Sequence, residues 1–338
     1  MEHRRISRRA ALQAAALGAC AVAAPAARAQ PRLSRARVGI AVSQKESLAN
    51  LPLTIAEQLG YFRAEGLEVE VIEGGAGAAD ITCAPYEQAL QHHLRGAPHQ
   101  AIVLLARAPA VALGVSVRAM PAVRGLADLR GRRIGIPSPG SSGHLVASVA
   151  LARAGVPLSD VSFIDVGLMP SAPAALRGGQ VDALCSGEPV MTLLEQRAEV
   201  RIVTDTRTLK GTQAVFGGPM PAGCLQAPHE FVQKHPATCQ ALAFAIVHAL
   251  KWLQTAGPRD ILRTVPETHL GGDRALYLAS FEKLRESISP DGVFDPDGAR
   301  TALRALAEFD ASLRPARVEV GRSYTNEFAL RAKARFDA

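Results

Sequence analysis

Short apolar runs alternate along the first two thirds of the chain with stretches in which apolar residues return every three or four positions. Val38-Gly39-Ile40-Ala41-Val42 predicts a first strand. Pro52 then opens a helix whose Leu53, Ala56, Leu59 and Phe62 share one face and which Gly66 ends. Residues 67–73 alternate as a second strand, and residues 80–84 form a third that leads into the helical stretch YEQALQHHLRG. Further strand runs fall at 101–117, 133–136, 161–166, 181–185 and 200–204. This order predicts an α/β protein with mostly parallel strands. From Pro236 the period changes, and residues 236–257, 271–288 and 295–313 are long helical stretches with few strands between them.

Two segments echo each other. DITCAPYEQAL (from Asp80) and DALCSGEPVMTLL (from Asp182) both run Asp, an apolar pair, Cys, small residues and then a helix. Each describes a strand whose carboxyl end turns into a helix amino terminus. Two such units about 100 residues apart predict two α/β lobes facing a shared cleft. Chance likeness of two strand-to-helix turns is the competing account.

The turn Gly140-Ser141-Ser142-Gly143-His144, between the strand at 133–136 and an alanine-, valine- and leucine-rich helix that stops at Gly155, carries the candidate chemistry. A helix amino terminus presents unpaired N–H groups and the positive end of the macrodipole, so it binds anions without a cationic side chain. Serine hydroxyls add donors and acceptors. In the structural alternative, Ser141 or Ser142 is an N-cap that contributes about 1 kcal/mol. Glu188, before Pro189 at the second echo helix, is either a helix-dipole partner or an acceptor for a ligand amine or hydroxyl.

Other motifs fail on spacing. A nucleophile elbow needs G-x-S-x-G, and here the second glycine comes one position early. Gly75-Ala76-Gly77-Ala78-Ala79-Asp80 is followed by a strand where a dinucleotide fingerprint needs a helix. There is no G-K-[ST] phosphate loop, and His92 and His93 are adjacent, so on a helix they diverge. The sequence therefore predicts neither an enzyme nor a bound cofactor or metal.

Charge changes the picture at one end only. Of the formal +7, five arginines and one glutamate in the first 29 residues account for +4, which leaves an ordinary +3 and no case for a nucleic-acid partner. Those residues, with a basic start, a short apolar run and Ala27-Arg28-Ala29, predict an export signal cleaved near Ala29. Ser7-Arg8-Arg9 with Ala11 and Leu12 is twin-arginine-like, a general secretory signal being the alternative. Leu17-Gly18-Ala19-Cys20 resembles a lipobox, which would leave a lipid anchor on Cys20. No later apolar run reaches the ~20 residues that span a bilayer, so the expected location is the periplasm. Cys83, Cys185, Cys224 and Cys239 have no C-x-x-C spacing and are expected to be buried free thiols.

LPLTIAEQLGYFRAEGLEVEVIEGG, LADLRGRRIGIPSPGSSGHLVASVALARAGV, LRGGQVDALCSGEPV and VRIVTDTRT resemble the periplasmic substrate-binding proteins of ABC transporters, in the nitrate/sulfonate/taurine/thiamine-precursor (SsuA/THI5-like) group. The resemblance covers most of residues 38–208. It implies a two-lobed periplasmic binding protein type II fold with a helical carboxyl-terminal region. Lobe I would comprise residues 30–118 and 223–338, lobe II residues 119–222, with crossings near 115–118 and 219–225. It also implies a small polar or anionic ligand of sulfonate, nitrate or carboxylate type, delivered by a monomer to an inner-membrane ABC permease. Carried over by position, Ser43, Gln44, Thr82, Cys83, Tyr86, Ser141, Ser142, Gly143, His144 and Glu188 would meet the ligand. The alternatives are a THI5-like pyrimidine-precursor binding protein or enzyme, whose cysteine-rich metal motif the scattered cysteines do not reproduce, and a ligand-sensing partner of a membrane receptor. One departure stands out. Only residues 74–79 separate the second and third strands, where this group carries a helix and a parallel crossover needs a dozen residues or more. Either those strands are not parallel neighbours, or a wall of the pocket is missing and binding is altered.

Overall fold

The computed structural model describes Leu33 and residues 35–74, 79–309 and 319–338. The expected leader, its cleavage site and Cys20 lie outside the described residues. In chain order the strands are β1 (Arg37–Val42), β2 (Glu68–Glu73), β3 (Ile81–Pro85), β4 (His99–Leu104), β5 (Ala112–Ser116), β6 (Arg133–Ile136), β7 (Ser162–Asp165), β8 (Ala183–Ser186), β9 (Val200–Asp205) and β10 (Gly223–Pro228). They form two five-stranded sheets, ordered β2-β1-β3-β10-β4 and β7-β6-β8-β5-β9. The α/β architecture in two sheets, followed by a helical carboxyl-terminal region, is the one the resemblance implies.

The sheets are mixed, which corrects the expectation of mostly parallel strands. β1 lies parallel to β2 and β3, and β6 parallel to β7 and β8. β10, however, runs antiparallel to β3 and β4, and β5 antiparallel to β8 and β9. β5 and β10 are the strands that follow a passage from one sheet to the other, so each enters its new sheet from the opposite end. Apolar periodicity carries no information about that direction.

The same passages correct the lobe boundary. The apolar run at 101–117 is two strands in different sheets, so the first passage is residues 105–111 and not 115–118. Strand β5, expected in the first lobe, belongs to the second sheet. The return lies between the end of β9 and Gly223, the first residue of β10.

The sequence echo is a structural repeat. β3 and β8 occupy the same third position in their sheets, and Asp80 and Asp182 do the same work. Asp80 Oδ2 accepts the Gly39 N–H at 3.1 Å and pairs with Arg35, while Asp182 Oδ2 accepts the Arg133 N–H at 2.9 Å and pairs with Arg133. Each aspartate ties the start of its strand to the neighbouring strand of the sheet.

The short crossover resolves in favour of non-neighbours. β2 and β3 are parallel but flank β1 on opposite sides, and β3 meets β1 only at Ile40↔Ile81 and Ala41↔Thr82. β3 therefore starts level with the middle of β1, which shortens the return from β2. The face of β2 that a crossover helix would cover carries exposed Glu68 and Glu70, while Val69 and Val71 pack against the core on the other. Apart from half-buried Ile72, the alternation leaves that face polar.

The helices that position the site are α1 (Leu51–Gln58), α2 (Tyr86–Leu94), α3 (Ser142–Arg153), α4 (Val190–Gln196), α5 (Pro236–Thr255), α6 (Pro296–Phe309) and α7 (Glu327–Phe336). The helix expected through residue 66 is broken after α1 by Gly60, which sits at φ 73°. α5 starts on Pro236 and buries Leu242, Ile246, Leu250 and Leu253 at helical spacing. Each such side chain contributes about 1.5–3 kcal/mol on burial. A second buried cluster joins Tyr86 and Leu90 of α2, Ala302 and Leu306 of α6 and Leu145 and Val149 of α3 to strands of both sheets. That shared core brings the amino termini of α2 and α3 together.

Candidate functional site

A cavity of about 150 Å³ lies beyond the carboxyl ends of β1, β3 and β4 and the start of β10, against the head of α3. Its wall comes from the loop after β1 with the start of α1 (Ser43, Ser47, Asn50), from the end of β3 (Cys83), from residues 105–110 of the first passage, from Ser142 at the head of α3 and from Ser287. A larger groove of about 550 Å³, lined by Leu126, Arg153, Thr208 and Lys210 among others, lies along the second half alone and holds none of the residues singled out by sequence. The smaller cavity is the better candidate because both halves build it and it lies at strand carboxyl ends.

Most of the polar groups on its wall already have partners. The Ser142 hydroxyl donates to Glu87 Oε1 at 3.0 Å, a bond that links α3 of one half to α2 of the other. Glu87 is 5% exposed. Burial pushes its carboxyl above the ordinary range, and the hydrogen bonds from its own backbone N–H and from Ser142 only partly offset that. Asn50 Nδ2 donates to the Gln44 carbonyl at 2.7 Å, and its Oδ1 accepts from Cys83 Sγ at 3.3 Å. The Ser287 hydroxyl donates to the Leu284 carbonyl at 2.7 Å, and Ser47 Oγ accepts the Ala49 N–H at 3.3 Å.

The ten residues expected at a ligand divide sharply. Ser43, Cys83 and Ser142 line the cavity. Gln44 is exposed beside it and Thr82 lies one residue back in β3, half-buried between β1 and β10. The other five have structural duties. Ser141 is the N-cap of α3: its Oγ accepts the His144 N–H at 3.3 Å and donates to the Ser138 carbonyl at 2.7 Å. Gly143 is the seat of α3 against the second sheet, because a Cβ there would lie 2.5 Å from the Cys185 carbonyl oxygen. His144 packs edge-on against Phe163 and Phe309, its Nδ1 accepts the Gly140 N–H, and burial lowers its pKa.

Tyr86 and Glu188 depart furthest from expectation. Tyr86 is fully buried, hydrogen-bonded to Ser323 and packed against Phe294 and Tyr324, so it belongs to the shared core and not to the cleft. Glu188, whose side chain is 0% exposed, accepts from Arg207 Nη1 at 2.7 Å and from the Thr192 N–H at 2.9 Å. Arg207, 1% exposed, also pairs with Glu195 and Asp205 at 2.7 Å each. Burial works against the guanidinium's charge, but the hydrogen bonds to Asp205, Glu195 and Glu188 outweigh it and raise the pKa. Glu188 is thus the counter-ion of a buried arginine.

Sequence reasoning missed Glu87, Asn50, Ser47 and Ser287. The signal for Glu87 was an acidic residue in the first turn of the first echo helix, which dipole preference explains equally well. The four cysteines are buried free thiols, as expected, and burial raises the pKa of Cys83, Cys185 and Cys239 to about 12. Among the described residues no cluster of three or more His, Cys, Asp or Glu is placed to hold a metal ion, and no helix is long and apolar enough to cross a membrane.

Comparison with known proteins bears on this geometry. The profile of the NMT1/THI5-like family matches residues 49–257. No curated protein matches the chain. Among solved structures, a protein from Bordetella bronchiseptica RB50 is 45% identical with a TM-score of 0.84, over 91% of this chain and 100% of that one. The alkanesulfonate-binding protein SsuA from Xanthomonas axonopodis pv. citri, bound to MOPS, is 20% identical with a TM-score of 0.64, over 86% of this chain and 98% of that one. The periplasmic nitrate-binding protein NrtA from Synechocystis PCC 6803 is 14% identical with a TM-score of 0.65, over 90% of each chain. The likeness to the last two is one of fold.

Proposed function

The chain belongs to the NMT1/THI5-like family, and from that premise we propose that it is an exported solute-binding protein that closes two lobes on a small polar molecule and delivers it to an inner-membrane ABC permease. One lobe is built on the first sheet and the carboxyl-terminal helices, the other on the second sheet, and the two passages between sheets are the hinge. The observation that carries the reading is the 150 Å³ cavity shared by both halves, with the Ser142–Glu87 bond across its edge. Ser43, Cys83 and Ser142, with Asn50, Ser47 and Ser287, are the proposed ligand contacts.

The ligands named for the solved proteins of like fold, an alkanesulfonate and nitrate, agree with the sulfonate, nitrate or carboxylate that the helix mouth suggests. In this chain such an anion would meet no charged side chain, because none of the twenty lining residues is charged. None is aromatic either, so the cavity offers no stacking surface to a pyrimidine.

Small-angle scattering of the protein with and without a small-molecule extract of the periplasm tests the proposal, paired with native mass spectrometry of the recovered protein. Closure on a solute predicts a smaller radius of gyration and a retained adduct. No contraction and no adduct would refute it.

A further inference from the structure

On that reading of the cavity, its wall also limits which chemistry it admits. A hydroxyl has one proton to donate and two lone pairs to accept with. Ser142 gives its proton to Glu87, Ser287 to the Leu284 carbonyl, and Cys83 to Asn50. What these three groups turn towards the cavity is therefore lone pairs. One of the two Asn50 amide protons is held by the Gln44 carbonyl. The cations next to lining residues are engaged elsewhere: Arg107 Nε donates to the Glu286 carbonyl at 3.0 Å, Arg285 donates to the Leu253 and Ala256 carbonyls, and Lys283 pairs with Glu195. The amino terminus of α2 is closed as well: the Tyr86 N–H donates to the Ala222 carbonyl, and the Glu87 N–H is met by its own carboxyl. A buried carboxylate thus stands directly behind the one serine that bridges the halves.

We infer that the cavity prefers a small aliphatic solute with an N–H-donating head, an ammonium or an amide, to an oxyanion. The lone pairs of Ser142, Ser287 and Cys83 receive the head's protons. Once ionised, the Glu87 carboxyl behind Ser142 favours a positive head and opposes a negative one. The apolar remainder of the wall, including Leu48, Leu105, Leu284 and Ile288, takes a short carbon chain. At 150 Å³ the space suits a molecule of about six non-hydrogen atoms, the size of benzene.

The test is calorimetric titration of the protein purified from the periplasm of an exporting host, repeated at rising pH because burial holds the Glu87 proton above the ordinary carboxylate range. The probes are ethanolamine and acetamide on one side, methanesulfonate and nitrate on the other. Ethanolamine and acetamide are expected to bind, with methanesulfonate and nitrate at least about tenfold weaker. Ser142→Ala should weaken both donors. Glu87→Gln should weaken cationic ethanolamine about tenfold while sparing neutral acetamide, a split that a merely structural role for Glu87 would not produce. Tighter binding of methanesulfonate or nitrate by the parent protein overturns the inference and leaves the solute-binding function standing. Failure of all four probes also overturns it. In that case contraction with the periplasmic extract keeps the function, and its absence removes both.

Discussion

Replacing Glu188 separates a ligand contact from a structural counter-ion. In Glu188→Ala the buried Arg207 loses its 2.7 Å partner but keeps Glu195 and Asp205, whose side chains are 23% and 31% exposed. Breaking a buried pair from one side costs about 3–5 kcal/mol. With two carboxylates still in place the low end, about 3 kcal/mol, applies. The Thr192 N–H loses its acceptor too, which adds about 1 kcal/mol. Destabilisation by about 4 kcal/mol lowers the melting temperature by roughly 8 °C, at about 2 °C per kcal/mol for a chain of this size. Urea unfolding should show a lower midpoint with an unchanged slope. Glu188→Ala should still contract with the periplasmic extract. A variant that melts within about 1 °C of the parent yet no longer contracts would refute this reasoning and return Glu188 to the ligand.

Three further outcomes follow from the same geometry. Gly143→Ala places a methyl group 2.5 Å from the Cys185 carbonyl oxygen and 2.9 Å from Pro137 Cδ, so it should destabilise the protein by about 1–3 kcal/mol in urea titrations. With thiols raised to about 12 at Cys83, Cys185 and Cys239, and Cys224 higher than usual, a thiol-specific disulfide reagent at about pH 8 should leave all four unmodified in the folded protein and label all four in denaturant. Glu87 holds its proton to higher pH when folded than when unfolded, so between the unfolded carboxylate pKa and the folded one the native state binds more protons and stability falls as pH rises. Glu87→Gln should remove that fall and be more stable than the parent near neutrality, and equal pH profiles for the two proteins would count against a raised Glu87.

Much of this architecture could be read from local pattern. Period-two and period-3.6 apolar spacing located β1, β2, β3 and β6–β9, the helix α3 and the helical carboxyl-terminal region, because each element buries one face of its own residues. The Asp-to-Cys echo identified β3 and β8 as equivalent strands, since both aspartates meet a backbone N–H and an arginine at short range. Ser141 as a cap and the four cysteines as inert thiols were also legible. Strand direction, the position of the passages and the duties of single polar residues were not. Residues 101–117 read as one apolar run, yet they divide between two sheets, because burial is all that the run encodes and either sheet supplies it. Glu87 and Glu188 are both acidic residues at the head of an echo helix. Only the packed chain puts a buried arginine 2.7 Å from Glu188 and a serine from the other half 3.0 Å from Glu87. The sequence by itself determined the elements and the family. The tertiary structure decided which side chains face the cavity, because hydrogen bonds between residues 55 apart in the chain, as from Ser142 to Glu87, exist only once both halves have folded against each other.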